Sequence, residues 1–264
     1  MSEEQNHELQ RGIDLVSSVL TVGNLFFGYL SILSAARGTP FDLDSAAKFI
    51  GWAILFDGLD GRVARLRKVA SPFGKELDSL ADVISFGVAP AFLSLLWGLR
   101  GVQAQAGSDP LLARHVYEIG WVICFVFAFC GAWRLARFNI LPAPTAANPA
   151  THSHRYFVGM PIPAAAGMVA AMVHFVQTPI SDWHLAAAWA GLVALLALLM
   201  VSPIRYPSFK QLSLGGRGRS IIGIAVLVAL VWFYSRPVLL ALATTYLLSG
   251  LLAEARRRLT GHAR

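Results

Sequence analysis

The chain has 264 residues, 56% of them hydrophobic and only 14% charged, with a mean hydropathy of +0.58. A soluble domain carries about 25% charged residues, so this composition excludes a water-soluble globule and defines an integral membrane protein. The net charge of +7 does not signal nucleic acid, because the basic residues follow membrane topology.

Residues 1–14 open with an acidic, polar stretch that lacks the basic start of a secretory signal. With Leu9, Arg11 and Ile13 they suit a short interfacial segment. Eight apolar spans follow, at about 15–36, 45–66, 77–99, 116–138, 161–181, 184–203, 219–235 and 237–255. Gly23, Asn24 and Gly28 interrupt the first, and an Arg236–Pro237 turn separates the last two. Residues 141–155, with Pro142, Pro144 and Pro149, form a loop. The expected fold is all-α and polytopic, with a membrane domain at 15–212 and a two-helix hairpin with a basic tail at 213–264. Cys124 and Cys130 share one apolar run and make neither a disulfide framework nor a zinc pattern.

Eight spans put both termini on one side. Loops and helix ends on that side hold 17 of the 22 Lys and Arg residues. The positive-inside rule therefore places the termini on the cytoplasmic side of the inner, or plasma, membrane.

Four aspartates punctuate the second and third spans. Asp57, Asp60, Gly61, Ala64 and Arg65 follow the i, i+3, i+4, i+7, i+8 series of one helix face. Asp78 and Asp82 are four apart, again on one face. Pro72 and Gly74 should break the helix between the two halves and let the chain return antiparallel. Carboxylates at membrane depth cost roughly 2.5–3.5 kcal/mol each on the insertion scale, and so mark function. Four so close require cations, and an oxygen-only set suits Mg²⁺, Mn²⁺ or Ca²⁺. Gly58 and Gly61 would let a ligand approach the backbone, and Arg65 is placed to pair with phosphate. Together these features suit phosphoryl-type transfer. Asp82, the last and deepest of the four, is the candidate general base. Two other readings stay open at this point: helix-end charges paired with Arg62, Arg65 and Arg67, and an ion or proton pathway.

The run from Asp57 to Asp82 resembles the signature of the CDP-alcohol phosphatidyltransferase family, D-x2-D-G-x2-A-R-x8-G-x3-D-x3-D, at every fixed position. The resemblance implies that Asp57, Asp60, Asp78 and Asp82 hold divalent metal, Mg²⁺ or Mn²⁺, with Asp82 as base. It implies that Gly58, Gly61, Arg65, Gly74 and Asn24, with Asp57 and Asp60, surround the CDP group, within a six-helix catalytic core. Segments 21–28, 85–91, 134–139, 159–165 and 201–210 resemble the serine-using bacterial branch of the family. That branch transfers a phosphatidyl group from CDP-diacylglycerol to L-serine in the membrane lipid, releasing CMP, and its members are expected as homodimers. Glycerol 3-phosphate, inositol phosphate and choline are the alternative acceptors.

Ser85, Arg134, Arg137, Arg205 and Lys210 are the candidates for lipid phosphate or the serine carboxylate, against a plainer role in packing or in membrane anchoring. His152 and His154 are not needed by the chemistry, and His174 and His184 read as core or interface residues.

Overall fold

In this computed structural model the described residues are 3–64, 72–104, 110–140, 156–207 and 217–261. Helices α1 (Glu3–Arg37), α2 (Pro40–Ala64), α3 (Pro72–Asp82), α4 (Ala89–Gly98), α5 (Arg100–Ala104), α6 (Pro110–Ile140), α7 (Ile162–Val176), α8 (Trp183–Val201) and α9 (Arg217–Gly261) make up nearly all of it. A π-helical turn, Val83–Val88, joins α3 to α4. Two three-residue strands, β1 (Tyr156–Val158) and β2 (Arg205–Pro207), pair antiparallel with Phe157 opposite Tyr206. The protein is all-α and polytopic.

Helix occupies most of the described part of each expected segment, while residues 177–181 and 202–203 lie outside helix. Among the described residues, five stretches are long and apolar enough to cross a membrane: Val16–Arg37, Phe73–Val102, Leu111–Ile140, Trp183–Val201 and Tyr234–Arg257. Helix α2 has the length to cross, at 25 residues, but carries Asp42, Asp44, Asp57 and Asp60. Helix α7 is only 15 residues long and sits in the middle of the bundle, with Ile162, Ala165, Ala166, Val169 and Val173 at most 1% exposed. The residues before it pair as a ribbon and complete that layer.

Helix α1 shows how the bundle is ordered. Val16, Val19, Val22, Phe26, Tyr29 and Leu33 are exposed, while Ser17, Thr21, Asn24 and Ser31 are buried. This is the reverse of a soluble helix, because the solvent here is hydrocarbon and polar groups turn inward to find partners. The expected interruption at Gly23, Asn24 and Gly28 does not occur, and α1 runs unbroken from Glu3 to Arg37. The glycines serve close packing instead. A Cβ on Gly23 would stand 2.4 Å from the Phe56 ring, and one on Gly28 would stand 2.8 Å from Ser85 Cα. Small residues at such crossings let membrane helices approach where no hydrophobic force draws them together.

Elsewhere the same device recurs. Gly98 makes room for Trp189, whose indole lies edge-on to Trp97 at 4.9 Å and donates to the Ser94 carbonyl at 3.2 Å. Gly38, at φ +74°, turns the chain between α1 and α2. Thr39 then caps α2 by accepting from the Asp42 N–H at 3.1 Å.

The expected break between α2 and α3 is met at Pro72, which begins α3 because proline is well suited to a first helical position, and is corrected at Gly74, which lies inside the first turn. Residues 65–71 lie outside the described set. At the C-terminus the division expected at Arg236–Pro237 falls at Tyr234, whose backbone leaves the helix (φ −133°, ψ 46°), so that α9 comprises two helices joined at a kink. Pro237 cannot donate to the carbonyl four residues back, which accounts for the bend.

Substituting Gly28 by Val is expected to lower stability by about 1–3 kcal/mol, since the neighbour to be displaced is Ser85 backbone. Thermal unfolding in detergent measures this, and an unchanged midpoint would contradict the close α1–π-turn contact.

Candidate active site

The aspartates gather at one end of the bundle, where α2 finishes and α3 begins. A carboxylate oxygen from each of Asp57, Asp78 and Asp82 lies within 4.8 Å of the other two. Asp60 is one turn on from Asp57 and within electrostatic reach of all three. Its own oxygens turn to α1: Ser17 donates to Oδ1, and Thr21 donates to Oδ2 at 2.6 Å. Asn24, one turn further along the same face, donates from Nδ2 to Asp82 Oδ1 at 3.0 Å. Its own Oδ1 is buried and has no hydrogen-bond partner among the described residues. Thus α1 presents Ser17, Thr21 and Asn24 as three consecutive rungs against the acids of α2 and α3.

The π turn begins immediately after Asp82. The Ala89 N–H bonds the Ile84 carbonyl, five residues back. Pro90 explains the widening: it has no N–H to give, and its ring would collide with the Phe86 carbonyl in a regular α-helix. Such turns recur at functional sites. Here it directs Ser85 inward, fully buried, to donate to the Asn24 carbonyl at 3.0 Å. Ser85 therefore braces α1.

The two glycines of the motif behave differently from Gly23 and Gly28. Among the described residues, a Cβ on Gly58 or Gly61 would meet nothing within 4 Å. Packing does not demand these glycines, and the α2 face beside Asp57 and Asp60 is left open. Gly74 is half-buried in α3. Arg65 lies outside the described residues.

The C-terminal end of α6 reaches the same region. Asn139 donates to Ser79 Oγ at 2.9 Å, tying α6 to α3 one residue past Asp78. Arg134 is 8% exposed, its guanidinium lies 4.6 Å from the Phe138 ring centroid, and it is within electrostatic reach of Asp82. Its Nε has no hydrogen-bond partner among the described residues. Arg134 and the exposed Arg137 line a cavity of about 100 Å³ with Trp133, Phe138, Val158, Met200 and Val201. Arg205 stands in β2, across from Val158, but its side chain, like all of Lys210, lies outside the described set, as do His152 and His154.

His174 is buried at the opposite end of the bundle. Its Nδ1 lies 2.5 Å from Asp44 and its Nε2 3.0 Å from Ser235. His184 is exposed and holds Asp182 at the start of α8, so only the first of these histidines is a core residue.

An oxygen-only cluster of buried and half-buried carboxylates, open to a backbone face and flanked by guanidinium, has the donor chemistry of a hard-cation and phosphate centre. The chain belongs to the CDP-alcohol phosphatidyltransferase family, whose model matches residues 14–202. It is similar to the CDP-diacylglycerol–serine O-phosphatidyltransferase of Helicobacter pylori, 34% identical over 229 residues, which are 84% of this chain and 83% of the relative. The enzymes of the same name from Methanocaldococcus jannaschii and Bacillus subtilis are each 33% identical over 201 residues, covering 78% and 93% of the relative and 76% and 75% of this chain.

Ser17 and Thr21 were not among the site residues expected from the motif. The signal was available: with Asn24 and Ser31 they form the polar stripe of an otherwise apolar helix, at spacings of four, three and seven. Replacing both hydroxyls, Ser17→Ala with Thr21→Val, leaves Asp60 without donors. The metal concentration needed for half-maximal activity should rise about tenfold, as for lost outer-shell partners generally. An unchanged Mg²⁺ or Mn²⁺ titration would remove these hydroxyls from the site.

Proposed function

We propose that the protein transfers the phosphatidyl group of CDP-diacylglycerol to the hydroxyl of L-serine, giving phosphatidylserine and CMP. The observation that carries the reading is the convergence of the half-buried Asp57 and Asp78 on the buried Asp82, beside Asp60. The names of the relatives supply the two substrates.

The four aspartates would hold the divalent cation, Mg²⁺ or Mn²⁺. When bound, it neutralises the diphosphate and the departing CMP. The protein's own groups do the rest. Asp82 accepts the proton of the serine hydroxyl as its oxygen bonds to the phosphorus carrying diacylglycerol. The bond from that phosphorus to the bridging oxygen breaks, and CMP leaves with the electron pair. Asn24 fixes one Asp82 oxygen by its amide bond and leaves the other for the proton. Gly58 and Gly61 keep the α2 face open for the nucleotide, with Gly74 and Arg65 on its flank. Arg134 and Arg137, supported by Arg205 and Lys210, receive the lipid phosphate or the serine carboxylate. The lipid tails enter sideways between helices. The site faces the cytoplasm from the inner membrane, a reading that the distribution of basic residues supports. Residues 15–212 form the catalytic membrane domain, residues 1–14 an interfacial lead and residues 213–264 an added hairpin, and the assembly is a homodimer.

Purified protein in detergent should release CMP from CDP-diacylglycerol with L-serine and metal, and not with EDTA. Glycerol 3-phosphate, inositol 1-phosphate and choline should give no release. Release with one of these instead keeps the reaction class and overturns the acceptor. Asp82→Asn should lower kcat by about 10²–10⁴ while CDP-lipid binding persists. Full turnover in that variant would take the base role from Asp82.

A further inference from the structure

Helix α3 carries two of the four acids, yet little apolar surface holds it. Phe73 is 76% exposed and Leu80 63%, and of its described side chains only Ala81 and Asp82 are buried. At 11 residues it is too short to keep its place by helical propensity alone. Two polar contacts tie it to other helices. At its C-terminal end, Asn24 of α1 donates to Asp82. Nearer its middle, beside Asp78, Asn139 of α6 donates from Nδ2 to Ser79 Oγ at 2.9 Å.

The second contact is one bond of a closed ring. The Ser79 hydroxyl donates to the Lys75 carbonyl at 3.0 Å, which leaves its lone pairs for the Asn139 amide. Lys75 Nζ returns to the Asn139 carbonyl at 3.4 Å. Asn139 is the last residue but one of α6, so that carbonyl has no partner within its own helix. Lys75 thus caps α6 while Asn139 holds α3. The two anchors act on different acids. Asp82 is fixed by Asn24 and by the π turn that follows it. A rod held at one end can still tilt, and a tilt about Asp82 moves Asp78, one turn away. The Ser79 contact removes that freedom at the neighbouring residue. The acids can share one cation only while Asp78 keeps its place beside Asp57 and Asp82, within the present 4.8 Å.

We propose that Asn139 is a positioning residue for Asp78, acting through Ser79 to set the tilt of α3 and so the shape of the cation site. This rests on the reading of the aspartates as metal ligands. Partners outside the ligand set tune metal affinity in this way, by holding the ligands in place. The same end of α6 carries Arg134 and Arg137, so the clamp also fixes the acids against the guanidinium-lined cavity.

The test uses the full chain in detergent and Mn²⁺ alone. Bound ion is read from the loss of the free-ion electron paramagnetic resonance signal, beside the thermal midpoint without metal. Asn139→Ala and Ser79→Ala should each raise the Kd for Mn²⁺ about fivefold, the equivalent of one ordinary hydrogen bond. The double variant should bind less than about twofold more weakly than either alone, because the two side chains form one contact. Ser79→Thr, which keeps the hydroxyl, should bind like the parent chain. Ser235→Ala, at the far end of the bundle, should lower the midpoint and leave the Mn²⁺ Kd in place, which separates lost stability from lost position. An unchanged Kd in Asn139→Ala, full additivity of the two alanines, or a Kd in Ser79→Thr as high as in Ser79→Ala would each overturn the proposal. So would a Kd that follows the midpoint across all variants, Ser235→Ala included. If Asp78→Asn weakens Mn²⁺ binding and Asn139→Ala does not, only the clamp falls. If Asp78→Asn binds Mn²⁺ as the parent does, the metal reading of the cluster falls with it.

Discussion

Three carboxylates, Asp57, Asp78 and Asp82, meet within 4.8 Å of one another with Asp60 one turn away, and most of the site's architecture answers that. Two unit charges 4 Å apart repel by about 4 kcal/mol even at an effective dielectric of 20, and each also loses its hydration. The protein meets this cost in part with donors. Two hydroxyls of α1 bond Asp60, an amide of α1 bonds Asp82, and a guanidinium from α6 stands within reach of Asp82. The remaining repulsion among Asp57, Asp78 and Asp82 is what a divalent cation bound there would relieve.

That constraint explains why α1, which carries no charge among Ser17 to Ser31, is as much a part of the site as the two helices bearing the acids. Its exposed valines and aromatics face lipid and its polar stripe faces the carboxylates. Gly23 and Gly28 set the distance at which those short side chains can reach. The π turn after Asp82 finishes the arrangement, because it swings Ser85 onto the Asn24 carbonyl and so fixes the backbone that presents the Asn24 amide. The support is built almost entirely of neutral groups, which cost less to bury than ions and are satisfied locally.

The opposite end of the bundle has a different character. Asp44, Lys48, His174 and Ser235 join α2, α7 and α9 through one chain of polar contacts. Together with the Tyr206–Tyr246–Gly250 contact, this makes the last helix an integral wall of the bundle. Both contacts lie in the half of α9 that follows the kink at Tyr234.

The membrane class, the helical segments and the four acids were legible in the sequence, because each depends on local composition and on a spacing fixed by 3.6 residues per turn. Asp57 and Asp60, or Asp78 and Asp82, must share a face wherever the helix goes. The glycines divided into two kinds only in three dimensions: Gly23 and Gly28 meet a neighbouring helix, while Gly58 and Gly61 meet open space. Sequence likewise placed a break at Gly74 that the chain accommodates within α3, whereas the break expected near Pro237 is present, at Tyr234. That Asp60 turns to Ser17 and Thr21, that Arg134 stands near Asp82 and that Tyr246 packs on Tyr206 were tertiary decisions. Each joins residues more than 35 positions apart, and contacts at that range depend on how helices cross, which no local periodicity encodes.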